Sequence, residues 1–156
     1  MAQRGGSIIA HARIGDSVQS PLVERGTADI LLGFEILETA RAVHMLRKEG
    51  KVVLNTKYLP PNTALNSAKP VTQTQLLQMI RNRASMVHEI DAINIANKLG
   101  NLLVINTILL GALSALPENP IPKASFEQAI SKRFKEKFIK VNLQAFEFGR
   151  AAVILG

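Results

Sequence analysis

The sequence predicts an α/β domain of three layers, with a mostly parallel sheet between helices and a helical C-terminal segment. Short runs that are apolar at nearly every position alternate with segments of helical spacing in the first half of the chain. Strands that are buried on both faces have this composition in parallel sheets. The last part of the chain is helical in its spacing, and a length of 156 residues favours one domain over residues 1–156.

The strands are predicted from β-branched and apolar runs of strand length. Residues 28–34 (ADILLGF) form one such run, and residues 51–56 (KVVLNT) repeat its pattern. A run at residues 7–14, stopped by Gly15, predicts an earlier strand, and a weaker run at residues 86–90 predicts a later one.

The helices between these strands are predicted from apolar spacing and from their end signals. Residues 36–49 have apolar positions at helical spacing, and Gly50 is placed as the C′ residue of that helix. Strand, helix and strand together predict a right-handed parallel crossover. Shorter helices are predicted at residues 74–84 and at residues 91–99, and Gly100 ends the second of them.

The second half of the chain predicts mainly helices. Residues 102–116 are nearly all apolar, but a bilayer span takes about 20 such residues, so this run predicts a buried helix. Proline-rich residues 58–70 and 117–122 predict connectors, and the chain is predicted to be helical from Ala124 onward. The inward stripe predicted for this C-terminal segment consists of Phe134, Phe138, Val141, Ala145, Phe148 and Ala152.

The chain contains no cysteine, and 47% of its residues are apolar. The lack of thiols excludes disulfides, thiolate zinc sites and iron–sulfur ligation by this chain. This composition fits a reducing compartment, so a cytoplasmic location is expected.

The formal net charge of +7 raises the question of a nucleic-acid partner. Seven basic residues and only three acidic ones lie between residue 123 and the C-terminus. The phenylalanines of this segment are predicted on the apolar stripe, whereas stacking platforms for bases need aromatic rings among the cations. A solvated face or a surface for an acidic partner is therefore favoured, and no nucleic acid is expected.

Catalytic and metal-binding patterns are weak in this sequence. His11, His44 and His88 have no metal-ligand spacing, so no metal site and no catalytic residue are predicted. Glu35 and Glu38 open a predicted helix, where carboxylates cap free amides and Glu38 can pair with Arg41. The alternative is that Glu35 faces the ligand crevice at the carboxyl end of the sheet.

The segment Arg4-Gly5-Gly6-Ser7 carries the most suggestive chemistry in the chain. Two glycines allow backbone amides to approach an anion closely, and an arginine binds phosphate or carboxylate through two parallel hydrogen bonds. The segment is therefore a candidate anion contact.

Several short motifs occur in a fixed order along nearly the whole chain. They are AQRGGS at residues 2–7, HARIG at 11–15, SPL at 20–22, ADILLGFE at 28–35, VVLNT at 52–56, IDA at 90–92, LLGAL at 109–113, and Asn142 with AFE at 145–147 and Gly149. This ordered set resembles the gamma-type domain of the pyruvate/2-oxoacid:ferredoxin oxidoreductase family, whose fold is Rossmann-like. The LGALSAL stretch at residues 110–116, followed by a proline connector, is most similar to the beta subunit of the indolepyruvate type.

The resemblance implies a subunit that binds no cofactor itself. In such enzymes a large partner subunit carries thiamine diphosphate and iron–sulfur clusters, and the complex decarboxylates an aryl 2-oxoacid, acylates coenzyme A and reduces ferredoxin. By resemblance, Arg4, Gly5, Gly6 and Ser7 would contact the coenzyme A side of the active site. The implied partners are the large subunit, ferredoxin through the complex, and a second copy of the chain, with no membrane. The alternative is a stand-alone α/β ligand-binding or assembly module without catalysis.

The resemblance also predicts that the domain is N-terminally incomplete. Family members have a strand, a Gly-rich loop and a helix before the Arg-Gly-Gly motif, whereas here that motif begins at Arg4. We therefore expect a strand-loop-helix segment to precede this sequence.

Overall fold

The computed structural model describes residues 7–58 and 71–155. Three parallel strands form one sheet in the order β1-β2-β3, with β1 at Ala28–Gly33, β2 at Leu46–Asn55 and β3 at Met86–Ile90. In this register Val53 of the central strand lies opposite Leu32 on one side and His88 on the other. The strands predicted at residues 28–34, 51–56 and 86–90 are thus confirmed.

Six α-helices accompany these strands in the described part of the chain. None of them is long and apolar enough to cross a membrane. The helices are α1 (Ile36–Ala42), α2 (Gln73–Arg83), α3 (Ala92–Lys98), α4 (Ile105–Ser114), α5 (Lys123–Arg133) and α6 (Glu136–Ile154), with 3-10 turns at Val43–Met45 and Leu102–Val104.

The sheet is covered on both faces, so the predicted three-layer α/β architecture is confirmed. Val52 and Leu54 of β2 pack with buried residues of α1 and α2, including Ile36 and Ile80. Val53, which points to the opposite face, belongs to the cluster formed with α3, α4 and α6. Alternation of side chains along a strand explains why neighbouring residues of one buried strand serve two cores.

Helices α4 and α6 cross at a very short distance because a glycine lies on each of them. A Cβ atom on Gly111 would collide with the carbonyl oxygen of Phe146, and one on Gly149 would collide with the carbonyl oxygen of Ile108. A buried hydrogen bond of 2.7 Å from the hydroxyl of Thr107 to Oδ1 of Asn142 joins the same two helices. The C-terminal helix is therefore fixed to the core by backbone proximity as well as by side chains.

Residues 7–14 form an irregular segment, so the strand predicted there is wrong. Ile8, Ile9 and Ile14 are largely exposed and pair with no strand among the described residues. Side chains hold the segment instead. His11 Nδ1 accepts a hydrogen bond of 3.0 Å from the amide of Val23, and Arg13 donates to the carbonyl oxygen of Ser20 at 3.2 Å. β-branched composition alone does not make a strand where no neighbouring backbone is available to pair.

The helix predicted at residues 36–49 ends early, and Gly50 lies in β2 instead of following a helix. The 3-10 turn brings Leu46 into the core, where it is fully buried opposite Ala28. Gly50 then packs tightly beside the carbonyl oxygen of Ala28, and the register shifts between Ala28 and Ile30. Pairing with β1 thus overrides the helical spacing of this segment.

The predicted C-terminal helix is divided at Phe134. Its predicted inward stripe is confirmed at Phe134, Val141, Ala145 and Ala152, which pack with the core clusters, and wrong at Phe138 and Phe148, which are exposed. Phe146 is fully buried, whereas Phe148, predicted inward, is 52% exposed. The close approach at Gly149 decides which face meets α4, and this constraint places Phe146 rather than Phe148 in the core.

Candidate functional site

Side chains at the carboxyl ends of the strands form hydrogen bonds with nearby backbone groups. Glu35 caps α1, and its carboxylate accepts hydrogen bonds of 3.0 Å from the amides of both Leu37 and Glu38. Glu38 in turn pairs with Arg41 at 2.5 Å. These contacts support the capping interpretation of Glu35 over a role in the crevice, because the carboxylate already binds free amides at the helix start.

Side chains at the ends of β2 and β3 form hydrogen bonds of the same kind with the backbone. The side chain of Asn55 is buried and donates to the carbonyl oxygen of Phe34 at 3.1 Å. Its Oδ1 atom is buried and accepts no hydrogen bond from the described residues. Asp91, after β3, caps α3 by accepting from the amide of Asn94 at 3.0 Å. Polar groups at this edge therefore serve mainly to hold the strand-to-helix turns.

The histidines occupy separate positions in the fold. His11 holds the irregular N-terminal segment, and His44 Nδ1 lies 2.7 Å from the carbonyl oxygen of Arg41 at the end of α1. Within residues 7–58 and 71–155, no group of three or more His, Asp or Glu side chains is arranged to hold a metal ion. His11 and His44 therefore act locally on the backbone.

His88 lies beside an ion pair at the edge of the sheet. Lys51 and Glu118 form that pair at 2.6 Å. Burial lowers the pKa of His88 below its ordinary value of 6.5, and the positive charge of Lys51 lowers it further, while Glu118 opposes both effects. The hydrogen bond from Lys51 lowers the pKa of Glu118. The neutral form of His88 is thus favoured by the fold.

We expect the free energy of unfolding to fall as the pH drops below 6.5, the ordinary pKa of histidine. In that range the unfolded chain binds a proton that His88 resists in the folded state, and the loss continues down to the folded pKa. His88→Gln should flatten this pH dependence in urea titrations. If the free energy of unfolding depends on pH equally in wild type and His88→Gln, the lowered pKa of His88 is contradicted.

The predicted anion segment is described only at its last residue. Ser7 is exposed, whereas Arg4, Gly5 and Gly6 lie outside the described residues. The chain after Ser7 forms a shallow depression lined by residues such as His11, Arg13 and Ser20. Arg13 is held there by carbonyl oxygens, so the depression has a fixed cationic wall.

The sequence-based interpretation missed an exposed, mainly apolar row on α6, called here the outer stripe. It consists of the polar Gln144 and the apolar Phe148, Ala151 and Leu155, spaced four, three and four residues apart. Phe148 is 52% and Leu155 is 86% exposed, and the first three residues line a shallow groove. The signal in the sequence is a helix whose apolar residues cover more than one face.

Fold and site together define a three-layer α/β domain in which the described residues assemble no metal-binding cluster. A sequence model of the pyruvate ferredoxin/flavodoxin oxidoreductase family matches residues 1–152. The chain belongs to this family, as the ordered motifs indicated.

Two relatives are similar over almost the whole chain. The indolepyruvate oxidoreductase subunit IorB of Methanothermobacter thermautotrophicus is 37% identical over 97% of this chain and 79% of the relative. The subunit of the same name from Archaeoglobus fulgidus is 35% identical over 100% of this chain and 78% of the relative. The resemblance to indolepyruvate oxidoreductase subunits is therefore confirmed.

Two solved structures share the fold. The gamma subunit of a keto/oxoacid ferredoxin oxidoreductase from Geobacter sulfurreducens has a TM-score of 0.60 at 21% identity, over 82% of this chain and 65% of that subunit. The 2-oxoglutarate:ferredoxin oxidoreductase of Magnetococcus marinus, solved with 2-oxoglutarate, coenzyme A and succinyl-CoA bound, has a TM-score of 0.59 at 19% identity. The match covers 85% of this chain and 21% of that one.

Proposed function

We propose that the chain is the non-cluster subunit of an indolepyruvate:ferredoxin oxidoreductase, with residues 1–156 forming one gamma-type domain that works in the cytoplasm. The observation that supports this proposal most strongly is the 37% identity to an indolepyruvate oxidoreductase subunit, which extends over 97% of this chain. A likeness of this extent is not confined to one motif, so it bears on the role of the whole subunit.

In the proposed complex the chemistry belongs to the partner subunit. Thiamine diphosphate and iron–sulfur clusters bound there would supply the chemistry for oxidative decarboxylation of an aryl 2-oxoacid to its acyl-CoA, with reduction of ferredoxin. This chain has no cysteine to ligate a cluster. Its proposed contribution is to complete the assembly and the coenzyme A side of the site.

The test compares the purified chain, the large subunit and the two together. We expect the chain alone to be colourless and inactive with a viologen dye. The pair should reduce ferredoxin when both indolepyruvate and coenzyme A are present, and should act more slowly on pyruvate. Stoichiometric iron in this chain, or dye reduction without a partner, would overturn the proposal.

We also propose that Arg4, Gly5, Gly6 and Ser7 contact the coenzyme A side of the active site. The chemistry of the segment supports this, since an arginine and two successive glycines suit a phosphate group. Ser7 is exposed, as a residue that meets a ligand or a partner at the surface must be.

Arg4→Ala should raise the apparent KM for coenzyme A in the assembled enzyme and change kcat little. Loss of one charge-assisted hydrogen bond removes about 1.5–3 kcal/mol, which corresponds to roughly 10- to 150-fold in binding. The exposed Arg25, changed to alanine, is the matched control and should leave the KM unchanged. If Arg4→Ala assembles normally with unaltered coenzyme A kinetics, the proposed contact is wrong.

A further inference from the structure

Helix α6 has two apolar faces, and only one of them is used by the fold. The inner face packs on α4 through Ala145, Phe146 and Gly149, all of which are buried. The outer stripe lies on the other side, with Phe148 and Leu155 largely exposed. A surface helix ordinarily presents polar residues to solvent, so a second apolar row on a rigid helix indicates contact with another molecule.

A strongly basic segment adjoins the outer stripe. Residues 132–140 carry five cations and a single carboxylate, Glu136. Elsewhere in the described chain several cations are paired, as Lys123 is with Glu147 at 2.6 Å. Lys137 instead lies over the ring of Phe138, 4.9 Å from its centroid. Within segment 132–140, Lys132, Arg133, Lys135, Lys137 and Lys140 are all exposed, and none of them forms an ion pair with a described carboxylate.

We propose that the outer stripe and the basic segment 132–140 together form the surface that docks the catalytic subunit of the complex. The partner surface would be apolar where it meets Phe148 and Leu155 and acidic where it meets the lysines. This inference rests on the proposed function, because the catalytic subunit is the partner which that function requires.

Charge favours such an acidic protein surface over a second copy of this chain. The chain has a net charge of +7, and four of those charges come from the segment after residue 122, with seven basic and three acidic residues. Two copies meeting through this region would bring like charges together. An acidic partner gains both faster association and a defined orientation from the same charges.

The arrangement of the aromatic rings favours protein over nucleic acid. A base-stacking platform needs free aromatic faces among the cations. Phe138 does lie among the lysines, contrary to the sequence-based expectation, but Lys137 Nζ already occupies one face of its ring. Phe148 lies beside Ala151 and Leu155, whose side chains suit an apolar protein surface.

The test measures the dissociation constant of this chain from the complete catalytic subunit by biolayer interferometry. Phe148→Ser should raise it at least about tenfold, since buried aromatic residues dominate interface energies. The double variant Lys137→Glu/Lys140→Glu should raise it similarly and should slow association mainly at low salt. The controls are Leu103→Ser, at a residue that is 88% exposed, and Lys48→Glu, at an exposed lysine elsewhere. Their dissociation constants should stay within about twofold of the wild-type value.

The outcomes separate this inference from the proposed function. Circular dichroism should show that both variants fold like the wild type. If the subunits bind and both variants bind as tightly as wild type, the docking surface is wrong while the function stands. If the catalytic subunit never binds, the proposed function fails as well. A wild-type dimer that Phe148→Ser abolishes in sedimentation, or nucleic-acid binding lost in the lysine variant, would assign the surface to another occupant.

Discussion

Gly149→Ala is expected to lower the free energy of unfolding by about 3 kcal/mol, the upper end of the usual cost of overpacking. The new methyl group would meet the carbonyl oxygen of Ile108, a backbone atom of α4 that cannot rotate away. Helix propensity alone predicts the opposite sign, since alanine is about 1 kcal/mol better than glycine inside a helix. A guanidinium titration of each protein gives the difference directly.

Gly15→Ala is the control for this prediction. Gly15 lies in the irregular N-terminal segment, and a methyl group there would have only Cγ2 of Val18 near it, at 3.7 Å. We expect this variant to unfold within about 0.5 kcal/mol of wild type, as surface substitutions usually do. A Gly149→Ala protein as stable as wild type, or more stable, would contradict the close crossing of α4 and α6.

Phe146→Ala is expected to cost about 3–5 kcal/mol of stability. Phe146 is fully buried against Phe126, with ring centroids 5.7 Å apart, and it joins Ile130 in a cluster between α5 and α6. Removing the ring leaves a cavity that two helices line and cannot easily close. Thermal and denaturant unfolding of the variant measure the loss.

Phe148→Ala is the matched comparison, two residues along the same helix. Phe148 is 52% exposed, so its replacement should change stability by no more than about 0.5 kcal/mol. The two variants therefore distinguish the observed face of α6 from the stripe predicted by periodicity. The reverse order, with Phe148→Ala the more damaging change, would show that the predicted stripe is the inner face.

The central strands were predictable because their residues are apolar on both faces. Val52 and Val53 face opposite layers, and both are fully buried, so no polar alternation interrupts the run. The helices at α2 and α3 were predictable from local signals. Thr72 caps α2 in a capping box, and Gly100 adopts a positive φ of 67° after α3. Such signals depend only on neighbouring residues.

The incorrect predictions depend on distant contacts. Leu46 joins the sheet because Ala28 is there to pair with it, which no local pattern records. The face of α6 follows from two glycines that lie 38 residues apart, Gly111 and Gly149, each against the backbone of the other helix. Both glycines belong to motifs of the family resemblance, but the sequence alone did not pair them.

The candidate site was predictable only in part. Capping by Glu35 was the favoured interpretation, with a role in the crevice as the alternative, and its two amide contacts support capping. The coenzyme A contact at Arg4 stays a prediction, since that residue lies outside the described chain. The outer stripe was missed because Phe148 was placed inward, whereas the contact of Gly149 with the backbone of α4 leaves the neighbouring Phe148 exposed.

The proposal that this chain is the non-cluster subunit of an indolepyruvate:ferredoxin oxidoreductase is tested most directly by purification from its native source. The chain would carry an affinity tag, and the proteins and cofactors that accompany it would be measured. We predict a large partner subunit with iron, labile sulfide and thiamine diphosphate, and an eluate that reduces ferredoxin when indolepyruvate and coenzyme A are both added. Recovery of the chain alone, or with partners that carry no iron and no thiamine diphosphate and lack this activity, would contradict the account.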